Sequence, residues 1–383
     1  MISRVSSRKV LEMAKKFPVI TITGPRQSGK TTLCKSVFSQ YACVSLENPD
    51  TREFAQSDPK GFLDTYTGNL IIDEAQHVPE LFSYIQGIVD EKKQTGQFIL
   101  SGSQNFLLLE KISQSLAGRV YVFHLLPLSY AELKNENVKD LKDAIFYGGY
   151  PRLFDANIAP KDFFPSYIQT YLERDVRNMI NLRDLNLFNA FLKLCAGRIG
   201  QLFNANSLST EIGVDAKTIQ NWISILEKSF VVFRLYPWHE NFNKRVIKTP
   251  KLYFYDTGLA CGLLGIKSVE ELELHFAKGG LFENFIILEK MKLKLNMGEQ
   301  ADLFFWRDSH GNEIDVLETK GNTQVVTEIK SAKTLKNDFF KGLQWYEKIA
   351  KKYSIKKQLV YGGDDNQKRT EAEVISWRNI DSF

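Results

Sequence analysis

Short unbroken apolar runs punctuate the first third of the chain: PVITIT at 18–23, NLII at 69–72 and QFIL at 97–100. Runs of this length, without polar alternation, predict strands buried on both faces of a parallel sheet. After about Glu132 the pattern turns helical and polar, and Tyr147-Gly-Gly-Tyr-Pro151 reads as a turn at a boundary. YIQTYLERDVRNMINL (167–182) has helical spacing, with Glu173, Arg174 and Asp175 on its solvated side, as in a simple connecting helix, or at a domain contact. From Leu187 the order is helix (LFNAFLKLCAGRIG), short helix (NSLSTEIG), turn, helix (DAKTIQNWISILEKS), then a β-rich run (FVVFRLYPW), which is the order of a winged helix. The last hundred residues open on GGLFENFIILEKMKLKLN, read as an amphipathic helix. The strands DLFFWR, NEIDVLE and TQVVTEIKS follow, then a helix with Gln344 and the strand KKQLVYGG.

This pattern predicts an α/β protein in four segments: 1–132, a helical linker over 133–185, a winged helix over 186–262, and an α/β domain over 275–383. The length of 383 residues fits two to three domains at about 150 residues each. A net charge of +5 is too small to mark a nucleic-acid binder, so any such claim rests on where the charges lie. Between Ala196 and Lys251 eight Lys or Arg stand against four Asp or Glu, and most of the surplus lies there. Cys34, Cys43, Cys195 and Cys261 show no metal-ligand spacing and suggest no disulfide framework. No run approaches the ~18 residues a membrane helix needs, and the start lacks a signal-peptide core, so a soluble cytoplasmic protein with no membrane partner is expected.

Chemistry first shows at Gly24, Pro25, Arg26, Gln27, Ser28, Gly29, Lys30, Thr31 and Thr32, between the first apolar run and a helical stretch. Two glycines at this spacing before Lys-Thr let backbone N–H groups curl around a phosphate at a helix N-terminus. Lys30 would reach the β and γ oxygens, and Thr31 would ligate Mg²⁺. The second run ends in Asp73 and Glu74, at the strand end where α/β sheets hold ligands. Asp73 can hold the magnesium shell, and Glu74 can polarise the attacking water. The third ends in Ser101, Ser103, Gln104 and Asn105, of which Ser103 is the candidate contact to γ-phosphate or water, unless these are ordinary turn residues. Arg119, before the next strand, either stabilises transition-state charge in its own or a neighbouring subunit or is a surface cation.

GPRQSGKTT, LIIDEAQHVPEL, ILSGSQ, SLAGR and LLPLSYAEL together resemble the ATPase domain of the AAA+ class, in prokaryotic proteins with a C-terminal domain of unknown function. YGGYPRLF, YLERDV and YFYDTGLA resemble that companion domain. The resemblance implies an ATPase using ATP and Mg²⁺, with a homo-oligomer or a partner protein to be expected.

In the middle segment Asp215 caps the recognition-type helix after the Gly213 turn. Lys217, Gln220 and Asn221 would face a groove if that helix reads duplex DNA, with Lys244, Arg245 and Lys248 on phosphates. The same segment serves equally well as a lid or protein interface.

Near the C-terminus a two-residue turn at Gly321-Asn322 sets Asp315 opposite Glu328, with Cβ atoms about 5 Å apart. Period-two alternation puts Lys330 on the face of Glu328. Facing carboxylates need a counter-charge, and a divalent cation plus a lysine would supply it. The helix, the hairpin, Asp315 and Glu328-x-Lys330 resemble the PD-(D/E)XK nuclease core. That resemblance implies that Asp315, Glu328 and Glu283 bind Mg²⁺ and that Lys330 orients the attacking water; Ile314 stands where that family usually has Pro. A core kept only for structure or for binding is the alternative. The sequence therefore supports an ATP-hydrolysing protein coupled to DNA binding or cleavage, or an ATP-gated DNA-binding or signalling switch with an inactive core.

Overall fold

The three apolar runs become strands β1 (Val19–Thr23), β3 (Leu70–Asp73) and β4 (Phe98–Gly102) of one parallel sheet, with β2 (Ala42–Ser45) and β5 (Val120–His124) at its edges, in the order β2-β3-β4-β1-β5. The computed structural model describes residues 2–103, 115–134, 136, 138–172, 185–238 and 248–382. Gln104, Asn105, Glu173, Arg174, Asp175, Lys244 and Arg245 lie outside that set. Among the described residues no helix is long and apolar enough to cross a membrane.

Alternate residues of each strand serve opposite faces, which is why the runs lack polar positions. Ile20, Ile22, Ile71 and Ile99 pack with Val10 and Met13 of α1 (Ser7–Ala14) and with Leu33 and Cys34 of α2 (Lys30–Val37). Val19, Ile72 and Leu100 face Phe62 of α4 (Pro59–Asp64) and Leu81, Phe82, Ile85 and Val89 of α5 (Leu81–Lys92). Between β2 and α4 runs α3 (Pro49–Ser57), capped by Asn48, whose side chain accepts from the N–H groups of Asp50 and Thr51.

The chain divides into two compact units: 1–128 with 228–230 and 294–299, and the remainder. The second opens with short helices α6 (Tyr130–Leu133), α7 (Leu141–Tyr147), α8 (Pro151–Asp155) and α9 (Pro160–Tyr167), the last running into a π-type turn at Ile168–Leu172. Their side chains pack within the second unit. Phe163, Phe164 and Tyr167 of α9 are buried, and the Tyr150 and Tyr167 hydroxyls lie 3.0 Å apart. At the 147–151 turn Gly149 N–H donates to Asp256 at 2.8 Å. Asp256 in turn caps α13 (Thr257–Leu263), accepting from Leu259 N–H. A Cβ on Gly148 would lie 2.3 Å from the Asp256 carboxylate, and one on Gly258 would lie 2.5 Å from the Phe164 ring. The YGGYP and YDTGL strings are thus two halves of one packing contact.

Three helices, α10 (Leu185–Gly197), α11 (Ala205–Ile212) and α12 (Ala216–Lys228), precede an antiparallel ribbon of β6 (Val232–Leu235) and β7 (Lys251–Phe254), which Leu202 extends by a bridge to Lys251. After α14 (Val269–Leu274) comes α15 (Lys278–Asn296), and the amphipathic reading of this helix is corrected: from Leu281 to Lys292 nearly every side chain is buried. Its charges are matched inside, Lys290 to Glu318 at 2.8 Å and Lys292 to Glu289 at 2.8 Å, so charged letters there do not mark a solvated face.

The chain ends in a mixed sheet, β12-β13-β11-β10-β9-β8. It comprises β8 (Phe304–Arg307), β9 (Glu313–Lys320), β10 (Thr323–Lys330), β11 (Ser354–Tyr361), β12 (Gln367–Lys368) and β13 (Glu373–Ser376). α16 (Lys341–Ile349) links β10 to its parallel neighbour β11, burying Leu343 and Tyr346 against Leu317, Val326 and Leu359. The β9–β10 hairpin pairs Lys320 with Thr323 and Val316 with Thr327, the register a turn at Gly321-Asn322 sets.

Candidate functional site

In the first unit β1 delivers the glycine-rich loop and α2 receives it. Gly29 stands at φ +90° just before α2, a conformation that costs glycine little. A Cβ on Gly24 would lie 2.1 Å from the Leu125 carbonyl oxygen, so only glycine lets the loop leave β1 beside β5. Lys30, 5% exposed, donates from Nζ to the Gly24 (3.1 Å) and Pro25 (2.8 Å) carbonyls, which places its ammonium inside the loop. Burial draws that ammonium down to about 8, against the opposing pull of Glu74 and Asp73. The Ser28 hydroxyl is buried without a hydrogen-bond partner among the described residues, an opening for a ligand oxygen inside the cradle.

Because β4 lies between β1 and β3, its serines reach the acidic pair. Thr31 Oγ1 donates to both Asp73 oxygens at 3.0 Å, and Ser101 donates to Asp73 Oδ1. Hydroxyl and carboxylate oxygens so gathered suit Mg²⁺, and Thr31 and Asp73 are the residues that would hold it. Glu74 sits at φ +53°, a conformation rare outside glycine, with Ser103 Oγ donating to its Oε2 at 3.1 Å and Gln76 Nε2 donating to the same oxygen. Sequence reading missed Gln76, which stands two residues beyond Glu74 in the same acidic string. Arg119 is not brought to this site: its guanidinium forks onto Asp90, with Nη2 2.8 Å from Oδ2, at the surface.

A second polar cluster lies in the second unit. Here Glu283 of α15, Asp315 of β9, and Glu328 and Lys330 of β10 come together, with Lys330 donating to Glu328 Oε1. Two residues the sequence reading did not select join them. Glu313 comes from β9, one face-repeat before Asp315, and Lys251 comes from β7, more than sixty positions away. Lys251 Nζ lies 2.8 Å from Glu283 Oε1, bonds Glu313, and stands 3.9 Å from Asp315. Tyr253, two residues on along β7, donates its hydroxyl to the same Glu283 oxygen. Desolvation pushes the Glu328 carboxyl up to about 8, and Asp315 adds to the rise. Glu283 is also raised, chiefly by burial, with Lys251 opposing. Lys251 itself is raised, because its carboxylate neighbours outweigh its desolvation.

On α12, Lys217, Gln220 and Asn221 are exposed along one side, while Ile219, Trp222, Ile223 and Leu226 fill the other. Asp215 accepts from Thr218 N–H at 2.8 Å and so caps the helix. Lys248 is exposed as well. The local positive surplus is only partly available for a partner, since Arg198 and Arg234 pair with Glu211 and Glu227, and Lys251 is buried.

A phosphate loop on a parallel sheet, with Asp73 and Glu74 ending the second strand from it, defines a P-loop ATPase of the AAA type. An AAA domain matches residues 16–134, and domains of unknown function, DUF8612 and DUF4143, match 138–270 and 278–380. The chain is 33% identical over 323 residues to uncharacterized protein Rv2008c of Mycobacterium tuberculosis and to uncharacterized protein Mb2031c of Mycobacterium bovis, covering 83% of this chain and 71% of each relative. The chain belongs to the family of these proteins. Among solved structures it is similar to the Walker-type ATPase PABY2304 of Pyrococcus abyssi, at 16% identity and a TM-score of 0.45 over 67% of this chain and 94% of that one. AMPPCP-bound DnaA of Aquifex aeolicus is similar at 15% identity and a TM-score of 0.31, over 58% and 86%.

Proposed function

We propose that this chain hydrolyses ATP in the loop at Gly24–Thr32 and uses its nucleotide state to control DNA binding by the second unit. The observation that carries the first half is the convergence of Lys30, Thr31, Asp73, Glu74, Ser101 and Ser103 at one end of the sheet. The loop N–H groups and Lys30 bind the phosphates, and Thr31 and Asp73 hold Mg²⁺, which when bound offsets phosphate charge. Glu74, held by Ser103 and Gln76, orients the water and takes its proton. Lys30→Ala should abolish binding of a fluorescent ATP analogue. Glu74→Gln should keep the analogue bound while lowering kcat by ~100-fold or more, since only the second variant leaves the cradle intact. Wild-type turnover in Glu74→Gln would remove Glu74 from the mechanism.

The second half rests on the exposed Lys217, Gln220 and Asn221 side of α12, in a three-helix and ribbon order like that of winged helices. Affinity for duplex DNA should fall steeply with salt as counterions are released, and Lys217→Glu should weaken it at every salt concentration. No binding at low salt with ATP present would leave this segment as a protein interface. The C-terminal sheet reads as a PD-(D/E)XK-like core on the grouping of Asp315, Glu328 and Lys330. A core that binds without cutting is the second reading, and the position of Lys251 favours it.

A further inference from the structure

Two of the carboxylates a PD-(D/E)XK-like site would offer to a metal, Glu283 and Asp315, already stand beside a cation of the chain's own. Glu283, Glu313 and Asp315 each place an oxygen within 4.8 Å of the others, and the same three side chains surround the Lys251 ammonium. Lys251 is 3% exposed, so it is no surface lysine swinging in from solvent. Its strand is held at the backbone: Asn284, the residue after Glu283, accepts from Phe254 N–H at 2.6 Å and donates to the Phe254 carbonyl at 2.9 Å.

Each of the four carboxylates has at least one oxygen engaged within the protein. Glu283 Oε1 takes both Lys251 and Tyr253. Asp315 Oδ2 accepts from Ile329 N–H at 2.7 Å, Glu313 also pairs with Arg307 at 3.3 Å, and Glu328 Oε1 takes Lys330. Glu328 Oε2 is buried and has no hydrogen-bond partner among the described residues, and Asp315 Oδ1 has the Lys251 ammonium 3.9 Å away, so an ion drawn to Asp315 Oδ1 would have to approach beside that ammonium. Four carboxyl groups face three cations, Lys251, Lys330 and Arg307. A divalent ion among them would meet an ammonium at the place where its ligands converge.

We propose that Lys251 is the resident cation of this cluster: it occupies the metal position, keeps the core free of divalent ions, and locks the β6–β7 ribbon to α15 and the C-terminal sheet. The PD-(D/E)XK-like reading enters only in choosing which metals to test. The lock itself rests on the contacts of Lys251, Tyr253 and Asn284. The cluster then joins the DNA-reading segment to the sheet and does not cut.

The test is Mn²⁺ titration of the nucleotide-free full chain, followed by calorimetry and by the electron paramagnetic resonance signal of free Mn²⁺. Comparing each protein with its Asp315→Asn counterpart isolates the cluster from any ion held at Thr31 and Asp73. Wild type should show no Mn²⁺ binding that Asp315→Asn removes. Lys251→Met should gain one Mn²⁺ site that wild type lacks, and Asp315→Asn should abolish it. Asp315-dependent binding in wild type, or a folded Lys251→Met that gains no site, overturns the proposal. If Lys251→Met does not fold, the wild-type comparison decides alone, its Asp315-dependent binding refuting the proposal and the absence of such binding upholding it. Neither arm reads ATP turnover, so failure here is separate from failure of the ATPase reading.

Discussion

Asp256 is 1% exposed and accepts N–H groups from Gly149 and Leu259, each at 2.8 Å. Burial lifts its carboxyl from 3.8 to about 6, and the two backbone donors only partly oppose the rise. The native state therefore holds this proton to higher pH than the unfolded chain does. The resulting stabilisation is fully present below pH 3.8, declines as pH rises, and is lost once the pH passes about 6. A shift of about two pKa units corresponds to about 3 kcal/mol over the whole range. Of this, about 2 kcal/mol falls between pH 4.5 and 7.5. Asp256→Asn keeps the shape and removes the titration. Urea unfolding followed by tryptophan fluorescence, run on both proteins across that window, cancels every other titrating group by subtraction. Wild type should gain about 2 kcal/mol relative to Asp256→Asn on going from pH 7.5 to 4.5. A difference that is constant with pH, or that grows in the opposite direction, refutes the claim that this carboxylate is desolvated where the YGGYP and YDTGL strings meet.

Asn284→Ala removes both side-chain bonds to Phe254 and leaves a buried N–H and C=O unpaired. It should cost about 2 to 4 kcal/mol by the same urea assay, whereas a change under about 1 kcal/mol would mean that β7 is held by other contacts. Arg119→Ala breaks an exposed pair with Asp90 and should change stability by less than about 1 kcal/mol. Its ATP turnover should match wild type in dilute protein. A fall in kcat appearing only at concentrations where chains assemble would assign Arg119 to a neighbouring subunit's nucleotide.

What the sequence determined by itself was whatever depends on short-range spacing. The phosphate loop is legible because a tight turn of backbone N–H groups needs its glycines and Lys-Thr at fixed offsets. The hairpin register is legible because a two-residue turn leaves one pairing for the flanking strands, and Val326 duly faces Leu317. Buried strands show as apolar runs because both faces of a parallel sheet are covered.

Tertiary structure alone decided what depends on strand order and on partners distant in sequence. Placing β4 between β1 and β3 is what sets Ser101 on Asp73 and Ser103 on Glu74. The charges of α15 look like a solvated face until Glu318, on β9, is found against Lys290. Arg119 is an unattached cation in the sequence and acquires Asp90 only when α5 and the start of β5 come together. Lys251 counts as one more positive letter in a basic stretch, yet β7 carries it into a cluster of carboxylates. No local pattern encodes that contact, because its energy comes from desolvated charges that only the folded chain brings within hydrogen-bond reach.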